Sequence, residues 1–259
     1  MSCTMPGLTT TSLGRTAVWL PTVDSTNLYL KREAARLPGG TVCLADAQTA
    51  GRGRRGHTWD TSPGQTLALS VLFKPCSDVA ALPLACGLAV AQALTAVCQR
   101  AVEIKWPNDS ICAGAKVCGI LCESAVVDGQ SFAVAGMGVN LLQTADDFAR
   151  AGLPHAASLA MLTGQILPPD KVAVAILNRL EPLWQQTATG GFAAIRDDYA
   201  RHCVTLGREV RVLGADGRVL HTGQAVGLAD DGCLLVRGAD GTHAVRAGEV
   251  SIRGRQGYV

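Results

Sequence analysis

The chain contains the stretch Gly51-Arg52-Gly53-Arg54-Arg55-Gly56-His57-Thr58-Trp59 between two apolar runs. Both runs, 41–47 and 67–73, have the composition of β-strands. Glycine lets a backbone close tightly on a ligand, and arginine offers permanent charge in a planar fork that grips phosphate or carboxylate in two places. The stretch therefore predicts a mobile loop between two strands that closes over an anion.

The same stretch also fits the G-x-G-x-x-G pattern of dinucleotide-binding folds. That fingerprint needs a helix to begin at its third glycine, so that pyrophosphate lies at the helix N-terminus. Here Gly56 is followed by 57–64, which has no helical periodicity and ends in Pro63-Gly64. No Gly-Lys-Ser/Thr closes the loop, so a Walker A site is excluded as well. The remaining simple alternative is a solvated basic surface loop.

Composition limits the class of protein. The chain has 259 residues, of which 48% are hydrophobic and 17% charged, which is enough for one large domain or for one large and one small domain. The net charge of +2 gives no overall field that would favour nucleic acid or an anionic membrane. Ten cysteines occur without any Cys-x-x-Cys spacing, so we expect buried reduced thiols. The five histidines show no metal-ligand spacing, and any metal ligands stay unknown.

The sequence predicts neither a signal peptide nor a membrane span. Residues 1–15 lack the continuous apolar core of a signal peptide. The apolar stretch 79–98 contains Pro83, Gln92 and Thr95, which favours a buried helix over a membrane span. We therefore expect a cytoplasmic protein without a membrane interaction.

Periodicity predicts two units. A helix capped by Asp24 or Ser25 is expected to reach Leu37, and later helices are expected at 83–100, 158–162, 170–186 and 192–202. A strand is expected at 102–106, and a hairpin at 116–127 and 132–141. After residue 206 four β-rich runs, 209–213, 219–228, 233–237 and 243–252, are separated by Asp-Gly pairs, the strongest hairpin signal. We predict an α+β domain over 1–204 and a small SH3-like β-barrel over 205–259.

Four clusters would share one site if the strands between them form a single sheet. They are Asp24-Ser25-Thr26-Asn27; Gln48 with the glycine–arginine loop and Trp59; Lys105-Trp106-Pro107-Asn108-Asp109 with Lys116-Val117-Cys118-Gly119; and Gly136-Met137-Gly138-Val139-Asn140. Their order and spacing resemble the biotin–protein ligase family from Val23 to Asn140. This resemblance implies a mixed-sheet catalytic domain like that of biotin ligases and class II aminoacyl-tRNA synthetases. The predicted C-terminal barrel agrees with that family's small last domain.

The resemblance also implies a two-step reaction. Biotin and MgATP would give biotinyl-5′-adenylate and pyrophosphate, and the biotinyl group would then pass to one lysine of a biotin carboxyl carrier domain of a carboxylase. ATP and Mg²⁺ are thus the implied cofactors, and the chain would act as a monomer or homodimer. Some family members carry an N-terminal helix-turn-helix; since only about 23 residues precede the first cluster, we expect no DNA binding.

Site residues carry over position by position. Ser25, Thr26 and Gln48 match positions that hydrogen-bond the biotin ureido ring, a role suited to neutral donors and acceptors; helix capping is the plain alternative for Ser25 or Thr26. The full set expected at biotin is Ser25, Thr26, Asn27, Gln48, Arg52, Gly53, Arg54, Lys116 and Gly119. The set expected at ATP is Arg55, Trp59, Asn108 and Asn140. Trp59 matches an aromatic that stacks on adenine, with a core tryptophan as the alternative.

Three residues are expected to carry the chemistry. Lys116 opens an otherwise apolar strand, where an unpaired ammonium is costly, and matches the family's lysine at the carboxylate and α-phosphate. Arg54 would add charge where the two anions meet. Asp109, with Asn108, would position magnesium or the incoming lysine amine, although Pro-Asn-Asp is also a common structural turn.

Three other functions compete with this interpretation. A lipoate or octanoyl ligase would share the fold and the lysine, but the arginine-rich loop and Lys-Trp-Pro-Asn-Asp favour biotin. A non-catalytic module that binds biotinyl-adenylate would not need both Lys116 and the loop arginines. An anion- or RNA-binding protein would bind nucleic acid in a strongly salt-dependent manner, for which the small net charge gives little support.

Overall fold

The computed structural model describes residues 5–59, 63–76, 78–127, 129–248, 250–254 and 258. The first unit has seven strands: β1 (Ala17–Val23), β2 (Val42–Gln48), β3 (Thr66–Phe73), β4 (Val102–Lys105), β5 (Asp109–Cys112), β6 (Ala115–Val127) and β7 (Gln130–Asn140). It has six helices: α1 (Thr26–Glu33), α2 (Leu82–Cys98), α3 (Ala145–Arg150), α4 (Leu159–Thr163), α5 (Pro169–Gly190) and α6 (Arg196–His202). The second unit has five strands: β8 (Glu209–Leu213), β9 (Val219–Leu228), β10 (Leu234–Gly238), β11 (Gly241–Val245) and β12 (Ser251–Gly254).

The seven strands form one mixed sheet in the order β1-β2-β3-β7-β6-β5-β4. Only the β1–β2 pair is parallel, and the other neighbours are antiparallel. No strand is predicted at β1, because this half-exposed edge strand contains Pro21 and its sequence is only weakly typical of a strand. The turn predicted at Pro107-Asn108-Asp109 is too long by one residue, because Asp109 opens β5 and pairs with Lys105.

Helices cover both faces of this sheet. Alternate side chains of β7 point to opposite faces: Ala135 and Met137 join the core beneath α2 and α5, whereas Phe132 and Val134 pack with Leu30 of α1. The helix α2 is buried on nearly every side, as its apolar composition predicts. No helix among the described residues is long and apolar enough to cross a membrane.

Two helix predictions differ from the structure. The helix α1 ends at Glu33 and not at Leu37, because the backbone N–H groups of Arg36 and Leu37 both donate to Glu33 O, at 2.9 and 3.0 Å, in a closing turn. The predicted helix 192–202 is a short 3-10 turn, Phe192–Ala194, followed by α6.

The five C-terminal strands form an antiparallel sheet in the order β11-β10-β9-β8-β12, as expected for a small SH3-like unit. The run 243–252 is predicted as one strand, but it contributes to two, because residues 246–248 and 250 lie outside the sheet between β11 and β12. Trp106 joins the two units: its backbone N–H donates to Thr205 Oγ1 (3.0 Å) and its indole N–H to Gly232 O (3.1 Å). The division at residues 204 and 205 stays a prediction.

The cysteine prediction can be compared for nine of the ten residues, since Cys3 lies outside the described residues. All nine are free, and eight of them are buried. The predicted hairpin of 116–127 and 132–141 is present as β6 and β7; Asp128, between its strands, lies outside the described residues, and Val127 pairs with Gln130.

Candidate active site

The glycine–arginine loop leaves β2 after Gln48 and folds back on itself. The Trp59 backbone N–H donates to Gly51 O (2.9 Å), and the Gly53 N–H donates to His57 O (2.7 Å). Arg55 turns the loop with a left-handed backbone, φ 57° and ψ 35°. This narrow loop lies over the face of the sheet that α1 also covers.

A polar pocket lies beneath the loop, at the start of α1. The backbone N–H and hydroxyl of Thr26 both donate to Gln48 Oε1, at 2.8 and 3.1 Å. The hydroxyl of Ser70, in β3, lies 2.7 Å from both Thr26 Oγ1 and Asn27 Oδ1. Ser25 is the N-cap residue of α1, but its side chain makes no capping hydrogen bond, so the capping alternative does not explain it. These neutral groups suit a ligand with amide-like donors and acceptors.

Both polar atoms of the Asn27 side chain are hydrogen-bonded within the protein. Its Nδ2 donates to Leu121 O (3.2 Å) and to Glu123 Oε2 (3.0 Å), while its Oδ1 lies against Ser70. The geometry therefore gives Asn27 a supporting position in the pocket wall, with no amide hydrogen left for a ligand.

Trp59 forms one wall of the cleft and lies flat against two glycines. A Cβ atom at Gly138 would stand 2.3 Å from Trp59 Cε2, and one at Gly119 would stand 2.9 Å from Trp59 Cζ3. The indole Nε1 is buried and has no hydrogen-bond partner among the described residues. A buried donor without a partner is costly.

The guanidinium groups of Arg54 and Arg55 reach the second unit. Arg54 donates to Asn108 Oδ1 (2.6 Å) and to the carbonyls of residues 247, 248 and 250, at 3.1, 2.5 and 3.2 Å. Burial lowers the pKa of Arg54 from its ordinary value. Arg55 donates to the carbonyls of Gly214 and Ala215, at 2.7 Å each. The loop is therefore held to the C-terminal sheet through main-chain oxygens.

Arg52 is held differently. Its guanidinium lies 3.1 Å from Glu123 Oε1, and Lys31 Nζ lies at the same distance from the same oxygen. Burial alone would raise the pKa of Glu123, but hydrogen bonds from Asn27 and Lys31 hold it below its ordinary value. The ion pair between Arg52 and Glu123 connects the start of the glycine–arginine loop to β6.

A charged cluster stands where the sheet meets the loop. Lys116 Nζ lies 2.6 Å from Asp109 Oδ1, and the Asp109 side chain is only 12% exposed. Burial alone would raise the pKa of Asp109, but the ammonium groups of Lys116 and Lys105 hold it below its ordinary value. Lys105 is 4% exposed, and burial lowers its pKa to about 7. The hydroxyl of Tyr258 donates to the second oxygen of Asp109.

Two asparagines hold the backbone around this cluster. Asn108 Nδ2 donates to Ile120 O (3.3 Å) and to Asp109 Oδ1 (3.1 Å). Asn140 is buried, and its Nδ2 donates to Ala157 O (3.2 Å) and Lys116 O (3.4 Å). Asn140 thus supports the main chain at Lys116.

The structure gathers the predicted residues around two adjoining spaces. All of the residues predicted to bind biotin line the polar pocket. All of those predicted to bind ATP, together with Asp109, line a neighbouring cavity of about 430 Å³. Lys116, Trp59 and Arg54 line both. Their roles toward ligands stay predictions.

Three side chains in this arrangement are not predicted from the sequence: Ser70, Glu123 and Tyr258. Ser70 is the single polar residue in the run Leu67–Phe73, and this isolated polar position could have identified it. Among the described residues no group of three or more His, Cys, Asp or Glu side chains could hold a metal ion. A metal ion at this site would therefore need oxygens from a second ligand, such as the phosphates of a nucleotide.

The fold and the cleft are those of a ligase domain, in which a polar pocket and a neighbouring cavity meet at a lysine beneath the glycine–arginine loop. The sequence profile of the Biotin/lipoate A/B protein ligase family matches residues 19–140, and that of the Biotin protein ligase C terminal domain matches residues 205–253. A biotin–[acetyl-CoA-carboxylase] ligase of Paracoccus denitrificans is 35% identical over 246 residues, covering 91% of this chain and all of the relative. The chain belongs to the biotin protein ligase family.

Two further relatives agree with this assignment. A biotin–[acetyl-CoA-carboxylase] ligase of Mycobacterium tuberculosis is 34% identical over 220 residues, or 82% of this chain and 78% of the relative. The solved structure of the biotin protein ligase of Aquifex aeolicus in complex with biotin and ATP superposes with a TM-score of 0.80 at 30% identity, covering 92% of this chain and 98% of that one.

Proposed function

We propose that the protein activates biotin with ATP and transfers it to a lysine of a biotin carboxyl carrier domain. In the first step a biotin carboxylate oxygen bonds to the α-phosphorus of ATP, and pyrophosphate leaves. In the second step the lysine amine bonds to the carbonyl carbon of biotinyl-5′-adenylate, AMP leaves, and the amine loses a proton. The names of the relatives and the biotin and ATP complex of the Aquifex aeolicus enzyme support this reaction.

The position of Lys116 is the observation that carries the proposal. Its ammonium lines both the polar pocket and the neighbouring cavity, and Asp109 holds it at 2.6 Å. Biotin in the first space and a nucleotide in the second would bring carboxylate and α-phosphate together at this atom. Positive charge placed where the oxygens crowd stabilises such a transition state.

The loop would exclude water from the mixed anhydride. Its glycines permit movement, and the contacts of Arg52 with Glu123 and of Arg54 with Asn108 hold it closed. Trp59 would lie beside adenine, with its unpartnered Nε1 near a ligand acceptor. Mg²⁺ would enter with ATP, bound mainly by phosphate oxygens, and Asn108 and Asp109, which line the same cavity, are the residues proposed to position it.

We further propose that the acceptor is the carrier domain of a carboxylase, that the enzyme acts in the cytoplasm as a monomer or homodimer, and that residues 1–204 and 205–259 are its two domains. No DNA-binding role is assigned. A lipoate or octanoyl ligase is the nearest alternative, because the matching family profile covers both classes.

The test combines both half-reactions. The protein is incubated with MgATP, a carrier domain and either biotin or lipoate, and pyrophosphate release and the carrier mass are measured. We expect release and a mass gain with biotin only. Lys116→Ala is expected to lower biotin-dependent release by at least about 100-fold, whereas the exposed Lys171→Ala on α5 serves as the matched control. Release with lipoate alone, or full activity of Lys116→Ala, would refute the proposal. Release without transfer would instead indicate that the acceptor is wrong.

A further inference from the structure

The side chain of Tyr258 contacts residues from distant parts of the chain. Its hydroxyl donates to Asp109 Oδ2, and Lys105 Nζ lies 3.6 Å from the centre of its ring. The ring of His155 stacks on it, with centroids 5.3 Å apart and planes 18° from parallel, and Arg253 lies 5.3 Å from the ring centre. One aromatic side chain thus meets an anion, two cations and a second ring.

In this arrangement both oxygens of Asp109 accept hydrogen bonds. Oδ1 accepts from Lys116 Nζ at 2.6 Å and from Asn108 Nδ2 at 3.1 Å, and Oδ2 accepts from Tyr258. Tyr258 also lines the cavity of about 430 Å³, together with Trp59 and Lys116. Space for a nucleotide therefore remains beside the Tyr258 ring, and the Tyr258 hydroxyl covers Asp109 Oδ2.

The second half-reaction of the proposed function places a demand on this carboxylate. An incoming ammonium must approach the carbonyl beside Lys116 and lose a proton before its nitrogen can bond to carbon. Among the described residues Asp109 is the carboxylate that forms a salt bridge with Lys116. An amine that hydrogen-bonds to Asp109 Oδ2 would be held at the right end of the cavity, where it competes with the Tyr258 hydroxyl for the same oxygen.

We propose that Tyr258 is a specificity-determining residue of the transfer step, which occupies Asp109 Oδ2 until the lysine of a docked carrier domain displaces it. The inference rests on the proposed function. A carrier domain binds with many contacts and can supply the free energy that unseats the tyrosine. A small free amine makes no such contacts, so it meets biotinyl-adenylate while Asp109 is still covered. Tyr258 thereby reserves the activated biotin for its proper acceptor.

The experiment separates the two half-reactions. Biotinyl-adenylate is formed on wild type, Tyr258→Phe and Tyr258→Ala, and biotin-dependent ATP–pyrophosphate exchange is measured first. The loaded enzymes are then mixed with n-butylamine or with a carrier domain, and the amide products are quantified. Tyr29→Phe in α1 is the matched control variant, since Tyr29 packs against the small cluster around Leu30.

We expect both Tyr258 variants to change butylamide formation by a larger factor than exchange, because only the incoming amine competes with the Tyr258 hydroxyl for Asp109 Oδ2. Biotinyl-butylamide formation should rise roughly tenfold in Tyr258→Phe, which is the order of one hydrogen bond to a charged group, and further in Tyr258→Ala. Transfer to the carrier should be unchanged or faster. Tyr258→Phe preserves the ring, so it remains informative if Tyr258→Ala is unstable.

Three results would overturn the inference. Unchanged butylamide formation would make Tyr258 a purely structural residue. Equal losses of butylamide formation and carrier transfer would make it a group that positions Asp109. A rise in exchange as large as the rise in butylamide formation would show that Tyr258 blocks the nucleotide as well. If wild type shows no biotin-dependent exchange, the proposed function fails before this inference is tested.

Discussion

Trp59 covers Gly138 so closely that a Cβ atom added to Gly138 would stand 2.3 Å from Trp59 Cε2. Gly138 lies in β7 with Gly136, and Asn27 occupies the corresponding space above Gly136, where a Cβ would stand 2.4 Å from its Oδ1. The backbone of Gly138 has no positive φ, so glycine is required here for room and not for conformation. The two glycines of β7 thus leave room for Trp59, which forms a wall of the pocket, and for Asn27, which supports the pocket.

Gly138→Ala should therefore displace Trp59 without unfolding β7. We expect the KM for ATP in pyrophosphate exchange to rise at least about tenfold, since stacking on an aromatic side chain is worth about 1–3 kcal/mol, with a small change in Tm. Gly227→Ala in β9 is the control, because a Cβ there would make an ordinary contact of 3.8 Å with Leu235. An unchanged KM would remove Trp59 from the nucleotide site.

Arg55→Ala should loosen the loop from the C-terminal sheet, because it removes the hydrogen bonds to the carbonyls of Gly214 and Ala215. We expect faster loss of bound biotinyl-adenylate, by about 5–10-fold for one charge-assisted contact, measured by dilution and chromatography. Arg218→Ala is the matched control: it lies in the same hairpin, and its pairing with Asp216 is largely exposed. Equal release rates in the two variants would contradict a role for Arg55 in closing the loop.

Ser70→Ala should weaken biotin binding although Ser70 was absent from the predicted site. Its buried hydroxyl orients both Thr26 and Asn27 at 2.7 Å. Loss of this hydroxyl leaves buried partners unsatisfied, so the KM for biotin should rise about 5–30-fold while the KM for ATP stays within twofold. Ser124→Ala on the exposed part of β6 is the control. Equal changes for both substrates would indicate general disruption.

Glu181 gives a prediction about acid stability. Its carboxylate accepts from the backbone N–H groups of Thr11, Ser12 and Leu13, at 2.6, 2.7 and 2.9 Å. Burial alone would raise the pKa of Glu181, but these hydrogen bonds lower it below the ordinary value of 4.5. A carboxyl group with a lowered folded-state pKa stabilises the fold above about pH 4.5, and this contribution is lost as the pH falls through that lower pKa.

Glu181→Gln should therefore cost about 1–3 kcal/mol of unfolding free energy at pH 7. The difference from wild type should shrink in acid, as measured by urea unfolding between pH 7 and the lowest pH at which the wild type folds. Glu33→Gln, on the surface end of α1, is the control. A difference that is the same at every pH would mean that the charge of Glu181 is unimportant.

The parts of the site that could be predicted from sequence are those with an unusual residue in its local context. Lys116 at the start of an apolar strand and Trp59 after the arginine-rich loop both stand out in this way. The partners of Arg54 and Arg55 could not be predicted, because main-chain carbonyls some 160 or more residues away carry no residue signature. The contact of Tyr258 with Asp109 spans 149 residues, and no sequence pattern predicts it either.

The fold shows the same limit. Strong alternation and Asp-Gly pairs predicted β8 and β9 with the bounds that the structure has. The edge strand β1 was missed, because its pairing with β2 is parallel and remote from any hairpin signal. Edge strands are recognised by their neighbours, which a single sequence does not reveal.

The use of main-chain oxygens by Arg54 and Arg55 has an evolutionary consequence. A carbonyl group is present whatever side chain its residue bears, so substitutions at residues 214, 215, 247 and 248 leave the acceptors in place. The small unit can therefore diverge in sequence while its attachment to the loop persists. Insertions or deletions in these two turns would move the carbonyls themselves. We therefore expect such changes to break the contact between the loop and the second unit.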